Sequence, residues 1–385
     1  MSIKPLTMIP GPTPVQPRIL DALAKPTVSH LAPDFVAAFR EALVDFRALG
    51  QCAAGQPFIV AGGGTLSMEI ALVNVVSPGE SVLVISQGYF GDRFVDLAGA
   101  FGIHADVLRS EWGHAVPPEE VERALKAKKY AAVTITHVDT STGTCAPVAA
   151  YCDLLRGRDE MVILDGVCAT GGIDEPCDAW GVDVLLSAPQ KAIGAPPGVA
   201  LCLFAPRAME RRRAKKTVPA YYADVMRWLP IMEDPGRYYS TPCVNEIFAL
   251  AEALKMVHEE GLKARFERHA RTARAFRAGL DAVGFTIFTA ADCRAATLSV
   301  VAYPEGVPDA PFRKEMSARG VVVAGGLGPI AGKAFRLGHM GNIGRAELVT
   351  TLEAVEGSLA ALGVKVEPGK AVGAAAGHLY EQQPA

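Results

Sequence analysis

Apolar residues along the chain fall into two rhythms. Short, mostly apolar runs that read as strands occur at 57–60, 81–86, 105–109, 130–137, 161–164, 182–186 and 199–204. Between them lie stretches with apolar side chains at helical spacing, at 18–24, 34–49, 66–76, 92–101, 117–128 and 147–156. In 34–49, for example, Phe35, Phe39, Leu43 and Phe46 share one face, as an amphipathic helix requires. Strand and helix alternate, which predicts an α/β fold with a largely parallel sheet. Beyond Lys216 the rhythm loosens into helices at 246–259 and 262–283, the second basic along one face from Lys263 to Arg277. Strands at 298–303, 321–324 and 335–341 and a closing helix at 345–362 make a second, smaller α/β unit. The predicted divisions are an arm at 1–20, a large domain at 21–261, a small domain at 262–367 and a tail at 368–385. The arm contains Ile9-Pro10-Gly11-Pro12-Thr13-Pro14, which suits neither helix nor central strand; it is expected to be extended and free to cross another surface. The tail is rich in Ala and Gly and is expected to be partly loose.

Composition narrows the function. The chain has 385 residues, 50% hydrophobic and 21% charged, with a net charge of -3. That describes an ordinary globular protein without a broad basic surface for nucleic acid. The one basic run, Arg211-Arg212-Arg213-Ala214-Lys215-Lys216, reads as a solvated helix end. Eight cysteines form no Cys-x-x-Cys pair and no zinc spacing. Several sit in apolar text, where a free thiol behaves as a small hydrophobe, and a reducing cytoplasm is the expected setting. No apolar signal core opens the chain, and no apolar run reaches the roughly 18 residues of a membrane span.

Chemistry concentrates where predicted strands end. The 57–60 strand runs into Gly62-Gly63-Gly64-Thr65 and then a helix. Glycine backbone and free helix N-terminal N–H groups make an anion cradle, although neither nucleotide signature is present. The 81–86 strand delivers Gln87-Gly88-Tyr89-Phe90-Gly91, a platform for a flat ring or a core aromatic. The 130–137 strand leads into the hydroxyl-rich turn Asp139-Thr140-Ser141-Thr142-Gly143, and the 161–164 strand ends in Asp165. Lys191 follows 26 positions later, in the irregular loop Ser187-Ala188-Pro189-Gln190-Lys191-Ala192-Ile193-Gly194-Ala195-Pro196-Pro197-Gly198. A lysine held there loses proton affinity on burial and can attack a carbonyl to form a Schiff base. An anion cradle, a carboxylate and an amine are the three groups that pyridoxal phosphate needs, for its phosphate, its ring nitrogen and its aldehyde.

At these residues the chain resembles the class V aminotransferases of fold type I, and most of all those that pair alanine or serine with glyoxylate or pyruvate. The resemblance rests on the Lys191 loop and on Thr136-His137-Val138-Asp139-Thr140-Ser141-Thr142-Gly143. It rests also on Leu164-Asp165-Gly166-Val167, Gly325-Gly326-Leu327-Gly328-Pro329 and Phe335-Arg336-Leu337-Gly338-His339-Met340-Gly341. It implies that Lys191 carries the cofactor and shuttles a proton, and that Asp165 pairs with the ring nitrogen. It places Gly63, Gly64, Thr65 and Gln190 on the phosphate, Thr140 near the phenolic oxygen, and Phe90 on the ring face, where relatives often carry tryptophan. Relatives often have histidine at the position of Thr65. Arg336 would clamp the substrate carboxylate, with Gly11 beside it. Tyr238 and Thr241 would reach the phosphate of a neighbouring subunit, so the expected form is a homodimer with sites at its interface and the arm wrapped over the partner. No metal is implied.

The first reading is therefore transamination between a small amino acid and a small 2-oxo acid by ping-pong chemistry. It gains from the lack of a second obvious basic residue for a distal carboxylate. The alternatives keep the fold. One is a pyridoxamine–pyruvate or 2-aminoethylphosphonate–pyruvate transaminase, suggested for the former by the segment 240–247 and opposed by Gly63, where an acidic residue is expected. The other is a cysteine desulfurase-like lyase, which needs an exposed reactive thiol in the small domain, where Cys293 is the only candidate.

Overall fold

Seven strands form the main sheet of the computed structural model, which describes residues 5–379. Their spatial order is Gln56–Gly62, Gly198–Phe204, Val184–Ser187, Met161–Asp165, Ala132–Thr136, Ser81–Ser86 and His104–Arg109. Only Gly198–Phe204 runs against its neighbours; the others run the same way, as short apolar runs buried on both faces require. Helices such as Pro33–Leu49, Gly64–Val75 and Val244–Glu260 cover the sheet, and Phe35, Phe39 and Phe46 are fully buried in its core. The carboxyl ends of six strands therefore lie along one edge, and ligands in open α/β sheets bind outside that edge.

A second core gathers around a four-stranded sheet ordered Thr286–Ile287, Leu298–Ala302, Ala334–Gly338 and Ala324–Gly325. The helices Leu262–Ala282, Asp309–Ala318 and Arg345–Ala361 pack on it. The stretch expected as one strand at 321–324 divides. Val321–Val322 pairs with Leu6–Thr7, and Ala324–Gly325 pairs with the Arg336 strand. That strand stops at Gly338, short of the expected 341, because residues Ile9 and Pro10 cross it there. A Cβ on Gly338 would lie 2.2 Å from the Ile9 carbonyl oxygen.

Four expectations change. The segment from Leu6 to Thr13 docks on its own chain: Met8 is fully buried and its carbonyl accepts from Gly338 N–H, and Thr13 N–H donates to the Gln190 carbonyl. Met8 supplies the apolar anchor, and the Pro residues keep the segment out of helix. The tail is a helix, Lys370–Leu379, with Ala371 and Ala375 fully buried. Its small residues let it press on Leu262–Ala282. The basic run is tethered as well as solvated. Arg212 pairs with Asp224 at 2.6 Å, Arg211 with Glu80 at 2.7 Å, and Lys215 donates to the Val73 and Val76 carbonyls at the end of the helix Gly64–Val75. The helices Pro206–Ala214, Val225–Glu233 and Asp309–Ala318 were hidden by arginine-rich text, by Pro230 and by sparse apolar spacing, respectively.

Gly279 tests the tail contact. A methyl there would lie 2.8 Å from the Ala371 carbonyl and 2.6 Å from Leu352. Helix propensity favours Ala over Gly by about 1 kcal/mol, whereas overpacking costs about 1–3 kcal/mol. Gly279→Ala should therefore lower the melting temperature by a few degrees; a rise would mean that the tail helix does not press there.

Candidate active site

A cavity of about 170 Å³ opens at the carboxyl edge of the main sheet. Lys191, Asp165, Gln190, Thr140, Phe90, Thr65 and Gly64 all line it. Gly63 is the residue just before the helix Gly64–Val75, whose first turn faces the cavity. Gly11 packs on Lys191: a Cβ there would lie 2.5 Å from the lysine Cδ, and its φ of +125° is one that glycine adopts freely. Arg336 reaches the same region from the second sheet, with Nη1 3.3 Å from the Thr140 carbonyl and Nε 2.9 Å from that of Gly325. Tyr238 and Thr241 do not line this cavity; Tyr238 is 64% exposed, its ring 5.3 Å from that of His30.

The electrostatics follow from burial. Lys191 Nζ donates to the Pro10 carbonyl, and burial, with Arg336 nearby, holds its pKa below the usual lysine range. Asp165 is buried, and its carboxyl is pushed up to about 7, chiefly by burial and further by the negative Asp139 and Glu175. One contact opposes that rise: Asp165 Oδ1 accepts from Val167 N–H at 2.9 Å. The acid and the amine thus both lean toward their neutral forms.

Other residues position these, and the sequence reading missed them. Asp139 is fully buried. Its Oδ2 accepts from Phe90 and Gly91 N–H at 3.0 Å each, and its Oδ1 accepts from Ser141 N–H at 2.9 Å and from the Ser141 hydroxyl. It therefore fixes the Phe90 turn against the Thr140 turn. The basic face of Leu262–Ala282 is a clamp: Arg265 Nη2 donates to the Ala192 carbonyl at 2.6 Å and Nε to that of Gly171 at 2.8 Å. Arg93 is a further cation on the cavity wall. Its Nη1 donates to Thr65 Oγ1 at 3.1 Å, and its guanidinium lies 4.9 Å from the Phe90 ring centre. Its helical spacing behind Phe90 was the available signal. His339 is a packing residue, stacked on Phe276 at 5.6 Å and bonded to the Ser299 hydroxyl at 3.0 Å.

This donor set fits pyridoxal phosphate. A helix N-terminus, Thr65 and the Arg93 guanidinium converge on one end of the cavity. Among the described residues, Gln190 Oε1 is buried without a hydrogen-bond partner. An acid and an amine stand at the other walls.

Residues 15–333 match the profile of the aminotransferase class-V family. The chain belongs to that family. It is a pyridoxal-phosphate-dependent aminotransferase of fold type I. It is 36% identical over 355 residues to alanine–glyoxylate aminotransferase 1 of Saccharomyces cerevisiae, covering 87% of this chain and 91% of that one. It is 31% identical to pyridoxamine–pyruvate transaminase of Mesorhizobium japonicum, covering 96% and 95%. The solved ureidoglycine–glyoxylate aminotransferase of Bacillus subtilis superposes with a TM-score of 0.93 at 29% identity, covering 99% of each chain. The desulfurase alternative finds no support in this aminotransferase, because Cys293 is buried, lies off the Lys191 cavity, and has its thiol pushed up to about 11, mainly by burial.

The Asp165 shift has a sign. A carboxyl raised to about 7 favours the folded state below the ordinary carboxylate range, and that contribution is lost as pH rises through 7. In protein stripped of cofactor, Asp165→Asn should therefore gain stability relative to wild type between pH 4 and pH 8. One pKa unit corresponds to about 1.4 kcal/mol, so the gain is up to about 4 kcal/mol. Denaturant midpoints measured across that range check this; parallel profiles for the two proteins would refute it.

Proposed function

We propose that this aminotransferase moves an amino group from a small amino acid, alanine or serine, to glyoxylate or pyruvate in two half-reactions at one site. The observation that carries this reading is the position of Arg336, whose guanidinium reaches the Thr140 turn at the Lys191 cavity. A planar guanidinium is suited to hold the α-carboxylate that every such donor and acceptor carries. Pyridoxal phosphate, when bound, supplies the electron sink for bond cleavage at the substrate α-carbon. Asp165 holds the ring nitrogen side, Gly63, Gly64, Thr65 and Gln190 hold the phosphate, and Phe90 and Thr140 flank the ring. Lys191, with its amine biased toward the neutral form, accepts and returns the proton. The names of the relatives support glyoxylate or pyruvate as the acceptor.

The protein is proposed to work as a homodimer in the cytoplasm. Tyr238 and Thr241 are exposed and away from their own cavity, as residues serving a neighbouring subunit would be. Among the described residues, no helix is long and apolar enough to cross a membrane. The pyridoxamine–pyruvate reading draws support from that relative and meets the same objection as before: Gly63 offers no acidic side chain.

A panel of amino donors, including alanine, serine, aspartate and pyridoxamine, against glyoxylate, pyruvate and 2-oxoglutarate tests the reading. Alanine or serine with glyoxylate or pyruvate should give the highest kcat/KM. Turnover of free pyridoxamine in preference to any amino acid would replace it with the second reading. Arg336→Lys should raise KM for donor and acceptor alike by about tenfold or more, the loss of a bidentate charged pair; an unchanged KM would take Arg336 out of the site.

Arg93 adds a second expectation. If it backs the phosphate through Thr65, Arg93→Gln should weaken pyridoxal phosphate binding to stripped protein about 10- to 100-fold, the range of a charged hydrogen bond. Affinity for unphosphorylated pyridoxal, read by absorbance titration, should stay within about twofold. Equal losses for the two ligands would show that Arg93 acts on the fold rather than on the phosphate.

A further inference from the structure

Behind the active-site turn lies a buried ionisable group that transamination does not use. His137 and Glu175 are 3% and 2% exposed, and His137 Nδ1 lies 2.7 Å from Glu175 Oε1. The Thr170 hydroxyl donates to the other carboxylate oxygen at 2.6 Å. Such a carboxylate, out of water, needs a cation beside it. The Cys145 thiol lies within electrostatic reach of the His137 ring. Burial pulls the imidazole down, but Cys145 and Glu175 outweigh it and push its pKa up to about 10. The Glu175–His137 pair therefore sets a cationic ring near one sulfur.

That sulfur has access and a neighbour. Cys145 is partly exposed and lines a separate cavity of about 470 Å³ whose wall also carries Cys293. Thr144 and Arg294 form an antiparallel bridge, and Ala295 N–H donates to the Gly143 carbonyl. Cys145 and Cys293 are the next positions across that bridge, where a regular antiparallel pair would set their Cα atoms about 4.5–5.5 Å apart. A disulfide spans about 4.4–6.8 Å. The other partly exposed thiol, Cys243, has no such partner as His137, and burial pushes it up to about 12.

We propose that Cys145 is a site of reversible oxidation by a peroxide, with Cys293 as its resolving thiol. The Cys145 sulfur attacks one peroxide oxygen, the O–O bond breaks, and hydroxide or alkoxide leaves, taking the thiol proton. Cys145 becomes a sulfenic acid, oxidised by two electrons, and the peroxide is reduced by two. The Cys293 sulfur then attacks the Cys145 sulfur, the S–O bond breaks, and the hydroxyl departs with the Cys293 proton as water. Burial pushes the Cys293 thiol up to about 11, which makes it the poorer first nucleophile and leaves it for the second step. The bond would tie the hairpin Val138–Cys145, which carries Thr140, to the segment leading into the strand Leu298–Ala302, the neighbour of the Arg336 strand.

The test treats purified holoenzyme with hydrogen peroxide and maps peptides without reduction. Wild type should lose two thiols to one Cys145–Cys293 disulfide that dithiothreitol reverses. Cys293→Ser should stop at a Cys145 sulfenic acid captured by dimedone, and Cys145→Ser should leave Cys293 reduced. Glu175→Gln should slow Cys145 oxidation at least tenfold. Because that variant removes a buried contact, iodoacetamide labelling of folded wild type gives an independent reading: Cys145 should label at least tenfold faster than Cys243. Equal labelling of the two, or a peroxide product that lacks the Cys145–Cys293 bond, would overturn the proposal.

Discussion

A carboxylate and an amine are buried at the same edge of a parallel sheet, and the rest of this fold is arranged to hold them there. Taken alone, each costs free energy: water is gone and neither has a full charge partner. The structure shows the strain as opposed shifts, with the Asp165 carboxyl pushed up to about 7 and the Lys191 amine held below its usual range. A ligand that brings a cationic ring nitrogen to one and an aldehyde to the other offsets both costs together. Pyridoxal phosphate, bound as proposed, would relieve both.

The parallel sheet makes the juxtaposition possible. Met161–Asp165 and Val184–Ser187 are adjacent and run the same way, so Asp165 and the loop carrying Lys191 emerge side by side. The neighbouring Ala132–Thr136 delivers Asp139 and Thr140, and Ser81–Ser86 delivers Phe90. Each turn needs a fixed shape to present its side chain, and the fixing groups are buried polar residues. Asp139 binds four donors across two turns. Arg265 holds the backbone just after Lys191 from a helix that begins more than 70 residues later. Fully satisfied buried groups of this kind give a single geometry, and leaving any one unpaired would cost more than the contact contributes.

This division explains what was legible in the sequence. Strands such as 161–164 were readable because burial on both faces writes an unbroken apolar run, and the acid closing that run was conspicuous for the same reason. Lys191, Asp165 and the glycine cradle stood out through residue types that local structure alone does not call for. Asp139 and Arg265 did not, because an acid in a hydroxyl-rich turn and an arginine on a basic helix face look like solvated residues until the chain is folded. Arg93 was passed over for a related reason: one turn of helix separates it from Phe90, and nothing local says that this face meets the cavity. The tail helix is not legible because Ala and Gly read locally as looseness, whereas their small size is what allows close contact at Gly279.

The opening segment carries the same logic furthest. Leu6–Thr7 joins Val321–Val322, the chain then crosses Gly338 at the end of the Arg336 strand, and the Pro10 carbonyl receives the Lys191 amine. One short stretch therefore touches both the strand that carries the proposed carboxylate clamp and the Lys191 amine. Its prolines keep the segment after Thr7 out of helix and sheet, and Met8 anchors it in the second core. A shift of the second sheet on substrate binding would have to move the Pro10 carbonyl, and with it the hydrogen bond that Lys191 makes. The opening segment thus joins the Arg336 strand to Lys191 through its own backbone carbonyls, those of Met8 and Pro10.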